Sequence, residues 1–315
     1  MHRLGAARDA RSDALATIYA AFVQHAWNEQ AGAFRNFMGY DRNWLEEAGS
    51  QDSFGRSLWS IGVTAAEAER HDLRLWATHL FDQVAPHALK LDGLRSGGFA
   101  LLGAVSMLRA MPDHRIALRI VEHFGERLHQ ALIESRRPDW TWFEPVLAYD
   151  NARLPEALLL AGRFQGDQAK VDAALDSLGW LDRIQTAKGG HFRAVGSESF
   201  GRRHAPPLPF DQQPLEAWAT VDAAITAFDA TGDHRWHAMA NRAWRWYLGD
   251  NDLRQPMASI ASGACFDGLM RDGVNFNTGA ESVLAFQLAC CSIARLVGTA
   301  GDSTHSETGA VAAQG

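Results

Sequence analysis

A chain of 315 residues with 47% hydrophobic and 21% charged residues has an ordinary globular composition, and its length suits one large domain or two smaller ones. A net charge of −7 without any lysine- or arginine-rich run argues against a nucleic-acid partner. No apolar stretch stands out that approaches the roughly 18 residues of a membrane span, so no membrane partner is expected.

Helical periodicity dominates, and no strand longer than a few residues stands out. The spacing predicts helices over Asp13–Glu29, Gly55–Arg70, Asp72–Leu89, Ser96–Met111, Asp113–Glu134, Asn151–Phe164, Asp167–Thr186, Pro214–Ala230, Asp233–Leu248 and Ala280–Val297. Gly166-Asp167 and Gly232-Asp233 each end one helix with a glycine and cap the next with an aspartate, and Pro112-Asp113 makes a comparable junction. Short turns precede the helices at Asp72, Asp113, Asp167 and Asp233. Long segments lead into those near Gly55, Asn151, Pro214 and Ala280, and only the link at Leu91–Arg95 breaks the alternation. The helices that follow long loops are rich in Ala, Leu and Gly, as buried inner helices should be, whereas Asp72–Leu89, Asp113–Glu134 and Asp233–Leu248 carry charge on one face.

Hairpins with short turns at one end and long loops at the other describe an all-α fold of the α/α toroid type, an (α/α)6 barrel whose inner helices surround a cavity roofed by the loops. Five outer–inner pairs are legible, one fewer than a six-hairpin ring needs, so either the first hairpin is incomplete or one pair escapes the pattern. The expected organisation is a single domain over residues 1–300, with a small, polar, disordered tail over 301–315.

Three loop ends concentrate unusual chemistry. Trp140-Thr141-Trp142-Phe143-Glu144 runs into Tyr149-Asp150-Asn151-Ala152-Arg153-Leu154-Pro155. Asp211-Gln212-Gln213-Pro214-Leu215-Glu216 forms the second, and Asp267-Gly268 with Asn275, Asn277, Gly279 and Glu281 the third. Apolar ring faces beside amides and carboxylates are what a pocket for a polyhydroxylated ring requires, so an oligosaccharide or sugar is the expected ligand.

The segments Asp52-Ser53-Phe54-Gly55-Arg56-Ser57-Leu58-Trp59, Trp140–Pro155, Gly190-His191-Phe192, Asp211–Glu216 and Gly279-Ala280-Glu281-Ser282 occur in this order in one known group. The chain resembles the (α/α)6 domain found alone or attached to the C-terminal side of bacterial retaining glycosyltransferases, within the six-hairpin glycosidase-like superfamily. The resemblance spans about Gln51 to Val297 and implies the fold and a sugar substrate, with a glycosyltransferase as a candidate partner. It fixes no reaction.

Glycosidic cleavage needs one carboxylic acid to protonate the leaving oxygen and a second carboxylate to activate water. The expected pair is Glu144 as acid, its pKa raised among Trp140, Trp142 and Phe143, with Asp211 or Asp150 as base or as the carboxylate that holds a hydroxyl. Trp142 is the expected stacking platform, and Tyr149, Asn151, Arg153, His191, Gln212, Gln213, Glu216, Asp267, Asn275, Asn277 and Glu281 the expected sugar contacts. The bland alternative is that carboxylates before helices cap them, and that Glu216 and Glu281 answer the helix dipole. Two other functions stay open: a sugar epimerase or isomerase of the N-acylglucosamine 2-epimerase type, for which the loops supply only His191 and His204, and a non-catalytic glycan-binding partner of a glycosyltransferase. No metal or cofactor is expected. His71, His79 and His87 drift by about 80° per step round a helix and cannot converge on one ion, and no CxxC, HExxH, GxGxxG or P-loop occurs. Cys265, Cys290 and Cys291, an odd set, fit a reducing compartment, and the lack of an apolar core in Met1-His2-Arg3-Leu4-Gly5 makes the cytoplasm the expected location.

Overall fold

Long helices form because the apolar residues recur every three to four positions, and the computed structural model, which describes residues 10–311, places all the expected ones. Contacts divide the chain into two compact units: Met1–Arg136 with Arg153–Ala174, and Arg137–Ala152 with Leu175–Gly315.

The first unit holds α1 (Ala10–Ala26), α2 (Gln51–Glu67), α3 (His71–Ala88), α4 (Leu94–Ala110), α5 (Arg115–Ser135), α6 (Arg153–Gln165) and the start of α7 (Gln168–Ile184). A short antiparallel hairpin, β1 (Trp27–Asn28) with β2 (Ala33–Phe34), follows α1. Helix α4 is buried on every face from Arg95 through Leu108, as its Gly- and Ala-rich composition requires. Helix α5 buries only one stripe, Ala117, Ile120, Val121, Phe124, Leu128 and Leu132, and turns its charges outward. The helices α2 and α4 meet backbone to backbone. A methyl on Gly62 would collide with the Gly103 carbonyl, and one on Gly103 would lie 2.6 Å from the Leu58 oxygen.

The second unit holds the rest of α7, α8 (Pro214–Thr231), α9 (His234–Tyr247), α10 (Ala280–Val311) and the hairpin β3 (Gly268–Met270) with β4 (Gly273–Asn275). Helix α8 starts with Pro214 in its first turn and ends at Gly232 in the left-handed region (φ 68°). Asp233 then caps α9 by accepting from the Arg235 N–H at 2.9 Å. Helix α9 buries Trp236, Met239, Ala240, Ala243, Trp246 and Tyr247 along one face against α8 and α10.

Several details differ from the sequence reading. Helix α2 begins four residues before Gly55, because the Ser50 hydroxyl oxygen accepts from the Ser53 N–H at 3.1 Å and caps it. The cap of α5 is His114, whose ring nitrogen lies 3.4 Å from the Ala117 N–H, and not Asp113. One segment, Ala280–Val297 of α10, is long and apolar enough to cross a membrane by length and composition, with a mean hydropathy of 1.5, where the reading saw no such stretch. Its apolar composition serves contacts with α8 and α9. Helix α10 is assigned through Val311, and the last part of the expected tail, 312–315, lies outside the described residues.

The glycine contact sets a direct expectation. Gly62→Ala should destabilise the protein by about 1–3 kcal/mol or more, the cost of overpacking against a backbone that cannot rotate away. Alanine at the exposed Gly201 position, where no atom lies within 4 Å, should cost only its left-handed strain of about 1 kcal/mol. Urea unfolding of both variants distinguishes the two.

Candidate functional site

In the second unit the three loop ends are joined by hydrogen bonds. The Glu216 carboxylate, at the first turn of α8, accepts from the Asn151 backbone N–H at 3.3 Å and from its side-chain amide at 3.0 Å. Asn151 also closes a turn with Ala148, donating Nδ2–H to its carbonyl at 2.7 Å. Gln212 and Leu269 exchange backbone hydrogen bonds at 3.0 and 2.9 Å, which lays the second loop end against β3. The first loop reaches the second a further time, through the His204 N–H to Pro145 carbonyl bond at 2.6 Å.

Asp211 is a half-buried carboxylate at the start of the second loop end. Its Oδ1 is buried and has no hydrogen-bond partner. Burial pushes the carboxyl above the ordinary range; the Ser197 hydroxyl pulls it partly back, and the charge of Glu198 adds to the rise. The loop that carries Ser197 and Glu198 is held at its neck by the Ser197 N–H to Asp211 carbonyl bond at 2.8 Å and the Glu198 N–H to Phe210 carbonyl bond at 3.2 Å. Arg271, between β3 and β4, pairs with Glu198 at 3.1 Å and lies over the Phe210 ring. Gly268 has no side chain because the Asp211 carboxylate occupies that space.

Asp252, which the sequence reading passed over, organises a second polar cluster. Its side chain is 8% exposed and accepts from Arg193, from His191 Nε2 at 3.1 Å and from Gln212 Nε2 at 2.6 Å. Burial alone would raise its pKa, but these donors, led by Arg193 and His191, hold it below the usual carboxylate value. Gln212 is thereby spent inside the protein, since its Oε1 also accepts from the Trp246 indole at 2.8 Å. His191 lines a cavity of about 650 Å³ beside the C-terminal end of α9.

Other expected contacts are placed differently. Trp142 is fully buried, stacked on Trp180 with ring centres 5.8 Å apart and edge-on to Phe143, so its faces serve packing. Trp140 also packs on Trp180 and donates its indole N–H to the Glu144 carbonyl at 2.7 Å. Glu144 and Tyr149 are half-buried, and Asp150 is fully buried with φ at 52°. Arg153 lies in the first unit, where it is buried, pairs with Glu156 at 2.7 Å and lies over Trp59. Asp267 acts as a cap. Burial would raise its pKa, but the Ser282 hydroxyl, the Gly279 N–H and the Asn277 amide together lower it. Asn275 and Glu281 are exposed, Asn277 is exposed and bonded to Asp267, and Gln213 is the N-cap residue of α8 without a side-chain capping bond. The cysteines offer no ready nucleophile: burial pushes Cys265 up to about 12 and Cys290 to about 11. Among the described residues no group of His, Cys, Asp and Glu is arranged to hold a metal ion.

No protein-family profile matches the chain, and no curated protein does. Solved structures do. An unsaturated glucuronyl hydrolase specific for heparin aligns at 12% identity and a TM-score of 0.56, over 73% of this chain and 64% of that one. A D-mannose isomerase aligns at 12% identity and a TM-score of 0.62, over 91% and 82%. The cellobiose 2-epimerase from Spirochaeta thermophila DSM 6192 aligns at 10% identity and a TM-score of 0.59, over 86% and 76%. The chain has the α/α toroid fold of these six-hairpin enzymes, with ten helices among the described residues. It spans just under two thirds of the hydrolase's length, and at these identities the likeness establishes the fold alone.

The two aspartates should titrate in opposite directions. Because the folded-state pKa of Asp211 is raised, its carboxyl favours folding while protonated and loses that contribution as pH rises through the folded value. Asp211→Asn should therefore match wild type near about pH 4, close to the unfolded pKa, and become relatively more stable towards neutrality. Asp252 has a lowered pKa, so its contribution is complete above the unfolded value and is lost as pH falls through the folded one. Asp252→Asn should cost about 2 kcal/mol at neutral pH, with the gap closing in acid. Melting temperatures of the three proteins across the pH range check both signs.

Proposed function

We propose that the chain is a carbohydrate-active enzyme that cleaves a glycosidic bond in an oligosaccharide, with Asp211 as the group that delivers the proton. The buried, hydrogen-bond-deficient Oδ1 of Asp211 carries this reading, since burial makes this carboxyl hold more tightly the proton that a departing glycosidic oxygen needs. This exchanges the roles expected from the sequence. Glu144 becomes the second carboxylate, on the loop that meets the Ser197–Asp211 segment at Pro145 and His204. In the proposed step the proton passes from Asp211 to the glycosidic oxygen as the bond to the anomeric carbon breaks. Water adds at that carbon and gives its proton to Glu144. Ser197 orients Asp211, and the charge of Glu198 favours its protonated form. The three structural neighbours are named for work on sugars, which supports the substrate class and leaves the reaction open.

A second reading is the isomerase or epimerase reaction for which two of the neighbours are named. The observation in its favour is the His191 imidazole held by the buried Asp252, an arrangement that orients a general base. Against it, His204 is turned edge-on to Trp140, with ring centres 5.3 Å apart, and this leaves one such imidazole. A glycan-binding partner of a glycosyltransferase remains the non-catalytic version of the same site.

Leaving-group dependence provides the test. Asp211→Asn should slow cleavage of natural oligosaccharides by about 10²–10⁴-fold, while dinitrophenyl glycosides, whose leaving group needs no proton, should lose little. Equal losses on both substrates would remove the acid role from Asp211. Incorporation of deuterium from solvent at C2 of a free sugar, without cleavage, would establish the second reading. Saturable glycan binding with no turnover of any substrate by the wild-type protein would leave the binding-partner reading.

A further inference from the structure

We infer that the cavity at the C-terminal end of α9 is a binding site for a sugar bearing an oxyanion, a carboxylate or a phosphate. The inference is independent of the Asp211 reading. The cavity, about 650 Å³ and lined by His191, Arg245, Gly249, Asp250, Asp252 and Arg254 among others, falls within the range of small-ligand sites. Its two carboxylates are already committed: Asp252 to Arg193, His191 and Gln212, and Asp250 to Arg245 at 3.2 Å. The donors are in excess. Arg254 is exposed and makes no ion pair or side-chain hydrogen bond among the described residues, and Arg245, also exposed, meets Asp250 through Nε. His191 donates Nε2–H to Asp252, so in the neutral ring Nδ1 is an acceptor, suited to a sugar hydroxyl and not to the oxyanion. An arginine fork with unused N–H groups recognises a carboxylate or phosphate better than a hydroxyl.

The site is also rigid, so the ligand would not have to order it. The Asn251 side chain is 3% exposed and ties the whole Gly249–Gln255 turn, donating to the Trp246 and Gln255 carbonyls at 3.0 and 2.7 Å and accepting from the Leu253 and Gln255 N–H groups at 3.2 Å each. Within that turn Arg254 is held at φ 54°, in the left-handed region that non-glycine residues seldom occupy, and this fixes the origin of its side chain at the cavity rim. Leu248 provides an apolar wall against which the carbon face of a ring could rest, and the glycines at 189 and 249 bring backbone close to it.

Calorimetric titration of the intact chain with glucuronate, glucose 6-phosphate, inorganic phosphate and glucose tests the assignment. Both acidic sugars should bind saturably and more tightly than inorganic phosphate, and glucose should bind about 10-fold or more weakly, the loss expected when one charge-assisted hydrogen bond is absent. Arg254→Gln should weaken the acidic sugars by about 10-fold or more without lowering the melting temperature, and raising the salt concentration should weaken binding to wild type. Asp211→Asn should bind them as wild type does, which separates this site from the proposed catalytic one. Equal binding of glucose and glucuronate, undiminished binding by Arg254→Gln, inorganic phosphate binding as tightly as the acidic sugars, or no saturable binding of either acidic sugar would each overturn the inference.

Discussion

A carboxylate withdrawn from water must be surrounded by donors, and Asp252 makes that requirement the organising constraint of the second unit. Its oxygens take hydrogen bonds from Arg193, His191 and Gln212, residues that lie far from it in sequence and belong to loops with little regular structure. Removing the charge from solvent is expensive, and the donors recover that cost only when all of them are in place. The loops therefore have one arrangement in which the charge is satisfied. Gln212 cannot move without disturbing Trp246, and Asp211, the next residue back, inherits a fixed position.

The aromatic side chains show a related division of labour. Trp140, Trp142 and Trp180 form a compact ring cluster, and the polar edges of two of them hold backbone carbonyls, Trp140 that of Glu144 and Trp180 that of Asp139. The cluster thus gives an irregular segment the anchoring that a helix would draw from its own hydrogen bonds. In the first unit Trp59 is stacked against Phe99 and covered by the Arg153 guanidinium, and the outcome is the same: the ring faces are used for cohesion. What remains for chemistry is the polar groups that these clusters hold in place.

The helices were legible because their signals are local. Gly232 followed by Asp233 ends one helix and caps the next by the geometry of those two residues, and the contrast between the alanine-rich α8 and the one-sided α9 is written in each segment. The cap at Ser50 was missed because it stands in a polar stretch that reads as loop until the helix is seen to begin there. The candidate site was legible only as a set of loop ends. Which carboxylate is buried depends on partners distant in the chain: nothing near Asp252 announces Arg193, and the burial of Trp142 depends on Trp180. The DQQP segment stood out, but its first glutamine turned out to brace the loop, and the unusual electrostatics belong to the aspartate before it.

Asn251 bears on the chemical ageing of the protein. Its side-chain nitrogen donates to two carbonyl groups, those of Trp246 and Gln255, while its oxygen faces two N–H groups. Amide side chains are thermolabile, and hydrolysis of this one would replace a donor with a second acceptor that confronts both carbonyls. A single deamidation would thus set like partial charges against each other at the centre of the turn and loosen Arg254. While the turn stays folded, its rigidity keeps the amide carbon from the backbone geometry that the reaction requires, so the loop protects the residue on which its own shape depends.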